Sequence, residues 1–178
     1  MHFISKMKGF TQNPPRVGLS EIAWSWVGAF LGISSVGLLQ SFFVDQFGQG
    51  LLIGSFGATA VLVYGAIRSP LAQPRNVFGG HIISAVIGVL SYKIFGDITW
   101  LAAAVAVSSA IAGMHLTKTL HPPGGATALI AVIRGNSVHS LGFYYAIIPV
   151  GLGAIILLIV ALLVNNLALH RHYPEFWL

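Results

Sequence analysis

Few residues in this chain can do chemistry: among 178 residues there are seven histidines, four acids and no cysteine. The stretch that gathers most of that chemistry is His121-Pro122-Pro123-Gly124-Gly125-Ala126-Thr127-Ala128-Leu129. Two prolines remove two backbone donors, and two glycines then let the chain turn without steric cost. A helix starting at once behind them exposes unpaired N–H groups and roughly half a positive charge. Gly124, Gly125 and Ala126 are therefore read as backbone donors to a small anion, with Thr127 adding a hydroxyl. The string Gly57-Ala58-Thr59-Ala60-Val61-Leu62 matches Gly125-Ala126-Thr127-Ala128-Leu129-Ile130. Gly57, Ala58 and Thr59 are read as the second half of the same site. His121, just before the kink, can pair with an anion when protonated.

The other titratable residues narrow the chemistry. Glu21, Asp45, Asp97 and Glu175 all lie at the ends of apolar runs or between them, so no carboxylate is placed to hold a cation at mid-depth. Histidine is the titratable type left for the interior, at His81, His115 and His121. A gating or proton-linked role is assigned to His81, His115, Arg75 and Asn76. Plainer readings stand beside each of these. The Gly-Ala-Thr strings can be close helix contacts, and Pro122-Pro123 a tight turn. His121 can hydrogen-bond a carbonyl that the prolines free. His81 can cap or pack beside Gly79-Gly80, Arg75-Asn76 can cap a helix, and Lys118 can sit at the interface. His170 and His172 read as a solvated tail. No metal site and no cofactor is read, because the histidines lack a carboxylate or thiolate partner. The chain holds no nucleotide-binding Gly-x-x-x-x-Gly-Lys-Ser/Thr, no His-Glu-x-x-His and no Gly-x-Ser-x-Gly, so it is not read as an enzyme.

Composition sets what must position these residues. The chain is 56% hydrophobic and 7% charged, with a mean hydropathy of +0.83. Soluble domains carry about 25% charged residues, so a polytopic membrane protein is expected. The formal net charge of +5 is not a nucleic-acid signal, since the cations sit at the ends of apolar runs. Residues 1–20 form a polar arm without a cleavable signal pattern. Residues 21–169 form one transmembrane helical domain, and 170–178 a short tail in which Phe176-Trp177 can rest at the interface.

Within that domain, full spans are expected at Ile22 to Val44, Asn76 to Ile94, Trp100 to Leu116 and Gly142 to Ala168. Asp45 to Gly50 reads as a turn. The segment Leu51 to Gly65 is apolar, but Gly54 and Gly57 make its first half a poor helix. The alanine-rich Trp100 to Leu116 is expected inside the bundle, because small residues allow close helix contact in lipid. The shift that aligns the two Gly-Ala-Thr strings also lays the first span on the fourth and the third on the last. Residues 22–96 and 98–168 thus read as an inverted pair of three-segment repeats, each with one broken half-helix, about six membrane segments in all. Such repeats place a transport site near the midplane. With the N-terminus inside, Lys6, Lys8, Arg16, Arg68, Arg75, Lys118 and Arg171 lie on the cytoplasmic side, and Lys93 and Arg134 outside. A four-span chain with re-entrant glycine segments is the alternative.

The His121–Leu129 motif resembles the signature of the HPP family of integral membrane proteins. Pro70-Leu71-Ala72-Gln73-Pro74-Arg75-Asn76-Val77, followed by Gly79-Gly80-His81, resembles that family's second shared block. The likeness covers nearly the whole chain after the arm. It implies four membrane spans as the family is usually described, and nitrite transport, to which members in cyanobacteria and plastids are linked. The resulting expectation is an all-α polytopic protein of a bacterial inner membrane, both termini cytoplasmic, passing a nitrite-like monovalent anion. Its partners would be that anion, the lipid bilayer and, in a homo-oligomer, copies of itself. A histidine-dependent metal or cation carrier and a non-transporting membrane scaffold subunit stay as alternatives. Channel-like and proton-coupled transport are both left open.

Overall fold

The computed structural model describes residues 6, 7, 11, 13, 15–47, 50 and 52–178, with backbone alone at 43–47. The described residues are all helix, turn or coil. In order they form α1 (Leu19–Phe47), α2 (Ser55–Ala60) continued by a π-helical stretch (Val61–Gly65), and a 3-10 turn (Pro70–Ala72). There follow α3 (Pro74–Phe95), α4 (Thr99–Leu116), α5 (Pro122–Ile133), the short α6 (Asn136–His139), a second π-helical stretch (Ala146–Gly151) and α7 (Leu152–Leu167). Four helices are long and apolar enough to cross a membrane: Leu19–Phe42, Pro74–Phe95, Thr99–Leu116 and Ala146–Leu167. Ser55–Gly65 and Pro122–Ile133 are shorter apolar helices. At 1.5 Å per residue each covers about half of a ~30 Å hydrocarbon core.

Several boundaries differ from the sequence reading, each for a local reason. Helix α1 runs through Asp45 to Phe47, where the sequence reading has the start of a turn; residues 48 and 49 of that turn lie outside the described residues, as does Lys8. Gly57 does not spoil its segment, because α2 begins at Ser55 and Gly57 N–H already bonds Gly54 O at 3.2 Å. The final span is kinked near its start, within Ala146–Gly151. Pro149 has no N–H to continue the ladder, and Ile148 before it is extended (φ −131°, ψ 122°).

Helix α3 is the hub, packed against both α4 and α5. Glycine makes these contacts close. A Cβ on Gly80 would lie 2.8 Å from Thr119 O, and one on Gly88 would lie 2.6 Å from Ala128 O. Helix α4 presents Ala102, Ala106 and Ala110, each fully buried, along one stripe. Its remaining faces point outward, with Trp100 and Leu116 largely exposed, so it is peripheral where the sequence reading had it interior.

Residue contacts sort the molecule into two ends. At one, Arg171 reaches Glu21 and the carbonyl of Tyr64, and a cavity of about 480 Å³ is lined by Val17, Arg68, Ser69 and His170 among others. Arg75 and Asn76 hold the Thr117 and Leu120 carbonyls at that same end of α3. At the other end Arg134 Nη1 donates to Leu52 O, His139 stacks on Tyr92, and Lys93 lies over Phe143. The tail departs from expectation. His172 is exposed and the His170 imidazole meets Glu21 Oε2 at 3.2 Å, but the Arg171 side chain is buried. Tyr173 hydroxyl donates to Ala72 O at 2.7 Å, docking the tail on the loop before α3.

Candidate functional site

Polar groups buried inside an apolar bundle must find partners, since each one left unpaired costs about 1–3 kcal/mol. Five such side chains find one another where α2, α3 and α5 meet. Thr59, His81, His121 and Thr127 are fully buried, and Ser55 is 1% exposed. His81, two turns into α3, lies between the two half-helices. Its Nε2 is 2.7 Å from Thr59 Oγ1 and its Nδ1 is 2.8 Å from Thr127 Oγ1. One imidazole thus bonds the threonines of both Gly-Ala-Thr strings.

His121 completes the cluster from the residue before α5. Its backbone is extended (φ −141°, ψ 104°), as a residue ahead of proline prefers. That turns the ring inward, with Nε2 3.0 Å from Thr59 Oγ1. Its Nδ1 is 2.8 Å from Leu71 O; a carbonyl only accepts, so Nδ1 carries the hydrogen. The two rings meet edge to face with centroids 5.0 Å apart, and Phe56 closes the other side of His81 at 5.5 Å. Thr127 Oγ1 and Ser55 Oγ are 2.8 Å apart, and Tyr145 hydroxyl donates to Thr127 O at 3.2 Å.

The partners fix how the half-helices run. Ser55 at the start of α2 is level with Thr127, while Thr59 a turn later is level with His121 at the start of α5. They therefore pass antiparallel, overlapping in their first turns rather than pointing at one spot. The backbone donors expected at the helix starts are also differently placed. Helix α5 begins at Pro122, so its first two positions have no N–H, and Gly124 N–H bonds His121 O at 2.8 Å. Ala126 and Thr127 lie inside the helical ladder. Polar side chains, not free amides, face inward here.

The glycines divide into two groups. Gly124 is pressed against α3, where a Cβ would meet Ser84 Oγ at 2.6 Å and Gly80 O at 2.9 Å. Gly57 faces open space, and Gly125 has only Val107 within 4 Å. Ala58 and Ala126 line an open groove of about 380 Å³ with Val61, Leu62, Pro122 and Pro123. A neighbouring groove holds Gly125, Ala126 and His115. His115 is exposed and stands apart from the hydrogen-bonded cluster. Arg75 Nη2 donates to Thr117 O at 3.0 Å and Asn76 Nδ2 to Leu120 O at 2.9 Å, so both brace the loop that carries His121.

Sequence reasoning passed over Ser55, Tyr145 and the Leu71 carbonyl, which no local motif marks. It also passed over how the half-helices end. The π-helical stretch after α2 leaves Val63 O and Tyr64 O to outside donors, which are Asn165 Nδ2 (2.8 Å) and Arg171 Nη1 (3.3 Å). At the end of α5, His139 Nε2 serves Val132 O at 2.9 Å. Each end thus has its carbonyls covered by a side chain from elsewhere in the fold.

Comparison with known proteins agrees with this architecture. The family model described as HPP, transmembrane region, matches residues 14–174. A transmembrane protein of Dictyostelium discoideum, DDB_G0273707/DDB_G0273361, is 46% identical over 99% of this chain and 58% of its own length. A second from the same organism, transmembrane protein DDB_G0269096, is 43% identical over 95% of this chain and 60% of its own. The chain thus spans about three fifths of the curated relatives it matches. No solved structure matches it.

Proposed function

Because the chain belongs to the HPP transmembrane family, an integral membrane protein, we propose that it transports a small monovalent anion, nitrite or a close analogue, and catalyses no reaction. The observation that carries this reading is the buried cluster of Ser55, Thr59, His81, His121 and Thr127, joined side chain to side chain between two half-helices. Polar side chains inside a membrane bundle mark substrate or ion pathways. The cluster holds hydroxyls and imidazoles but no carboxylate, which favours an anion over a metal ion. The name nitrite comes from the family likeness, not from these residues.

The anion's path runs along the small-residue face of Gly57, Ala58, Gly125 and Ala126, beside Thr59, Thr127 and His121. The two ends of the molecule support six crossing segments related as inverted repeats. Ser55–Gly65 leads from the end holding Leu52 to the end holding Ser69, and Pro122–Ile133 leads back from the end holding Thr117 to Arg134. Thr59 and Thr127 occupy equivalent places in the two repeats, and His81 bridges them. The cationic end, with Arg68, Arg75 and Arg171, is the cytoplasmic one by the positive-inside rule. The curated relatives come from Dictyostelium discoideum, so a bacterial inner membrane rests on the sequence reading alone.

A scaffold reading has one observation in its favour: among the described residues no buried side-chain polar atom lacks a partner. The double substitution Thr59→Val and Thr127→Val separates the two. Nitrite uptake in proteoliposomes should fall at least tenfold while the purified protein stays monodisperse. Uptake unchanged by the pair would leave the cluster a packing device.

A further inference from the structure

Hydrogen counting in the buried cluster goes further than the presence of polar groups. In the neutral form five hydrogens are available, one each on His81, His121, Thr59, Thr127 and Ser55. Five contacts need them. His121 Nδ1 must donate to Leu71 O. Its Nε2 then accepts from Thr59, so His81 Nε2 must donate to Thr59 Oγ1. His81 Nδ1 then needs the Thr127 hydrogen, but that hydroxyl also donates to Ser55 Oγ. Ser55 accepts there, so its own hydrogen fills none of the five contacts and the neutral cluster is one hydrogen short.

Two further acceptors lie beside it. Thr59 Oγ1 is 3.2 Å from Ser55 O, and Thr127 Oγ1 is 3.3 Å from Pro123 O. A sixth hydrogen can therefore enter with no bond lost. If it lands on His121 Nε2, the Thr59 hydroxyl turns to Ser55 O. If it lands on His81 Nδ1, the Thr127 hydroxyl is free to donate to Ser55 Oγ or Pro123 O. A seventh hydrogen would charge both rings with centroids 5.0 Å apart, and like charges that close oppose it.

We propose that this cluster binds one proton and carries it with the anion, one for one, so that the protein is an electroneutral proton–anion symporter. The proposal rests on the anion-transport reading above and names its coupling ion. The coupling is electrostatic. A charged imidazole buried without a counter-charge is costly, and the cluster supplies none. Around it, α2 and its continuation bring Tyr64, bonded to Leu157 O. From α3 come Arg75, bonded to Thr117 O, with Tyr92 and Lys93 at the far end beside His139 and Phe143. Helix α4 brings the exposed His115, α5 ends at Arg134 on Leu52 O, and Tyr145 bonds Thr127 O. No carboxylate is among them. An anion in the groove lined by Ala58, Pro122, Pro123 and Ala126, whose Ala58 and Pro122 adjoin Thr59 and His121 in the chain, would supply the missing charge. Proton and anion then each raise the other's affinity, as linkage requires.

The test uses purified full chain in two formats. In weakly buffered detergent solution, adding sodium nitrite should draw one proton from solution per nitrite bound. Thr59→Ser should keep that uptake; replacing both rings, His81→Gln with His121→Gln, should lose it. In proteoliposomes holding a pH dye, nitrite addition should acidify the lumen at a rate above protein-free vesicles, and a potassium–valinomycin potential should change the rate less than twofold. Binding without proton uptake, or uptake that follows the imposed potential with no acidification, overturns the proposal and leaves the transport reading standing. Proton uptake on binding with no flux overturns the symport and the transport reading while keeping the proton site. Neither proton uptake nor flux overturns both.

Discussion

Each residue of the central cluster is placed by a distinct local cause, and its substitution should report that cause. His81 bridges two threonines, so His81→Leu removes two buried hydrogen bonds while Thr59 keeps His121 and Thr127 keeps Ser55. A loss of about 1–3 kcal/mol is expected from two such bonds, read as a lowered thermal midpoint in detergent. The glycines offer a cleaner contrast. Gly57→Ala adds a methyl to open space and should leave the midpoint within a degree or two. Gly124→Ala would drive a Cβ to 2.6 Å from Ser84 Oγ and 2.9 Å from a backbone oxygen. Overpacking of that kind costs about 1–3 kcal/mol. Equal effects of the two would contradict the division of the glycines into an open face and a packed one. Of this cluster, Thr59, Thr127 and His121 stand out in the sequence because a repeated tetrapeptide and a proline kink flag them. His81 was placed at the margin instead of the centre. Its neighbours Gly79-Gly80 suggested local packing, and only tertiary structure brings it between two segments 46 and 22 residues away.

At the scale of elements, a half-helix that ends inside a bundle needs its last carbonyls covered, because lipid offers no donor. Asn165 and Arg171 do this for the segment after α2, and His139 for α5. Asn165→Leu should therefore destabilise by about 1–3 kcal/mol through the stranded Val63 carbonyl. Arg171→Gln should cost more, since Glu21 and Tyr64 O lose a partner together. A thermal melt of the two variants beside the parent checks the order, and it fails if Arg171→Gln is the milder. Existence and rough bounds of the four long helices could be read from apolar runs. The break at Pro149 could not, because a single proline inside so apolar a run leaves its hydropathy intact. The burial of Arg171 was equally hidden: an arginine beside two histidines looks like a solvated tail until Glu21, 150 residues away, is folded against it.

For the whole molecule, the two ends make a topological prediction that the chain is well suited to test. It has no native cysteine, so single substitutions give unambiguous labels. Lys118→Cys and Ser137→Cys flank α5, and a membrane-impermeant maleimide should reach them from opposite sides in sealed vesicles. Labelling from one side would make α5 re-entrant and reduce the protein to four crossings. Transport itself is tested most directly by uptake of isotopically labelled nitrite into proteoliposomes containing the purified chain. Saturable uptake well above that of protein-free vesicles, competed by excess unlabelled nitrite, is the expected result. Uptake equal to that of protein-free vesicles would contradict anion transport by this protein.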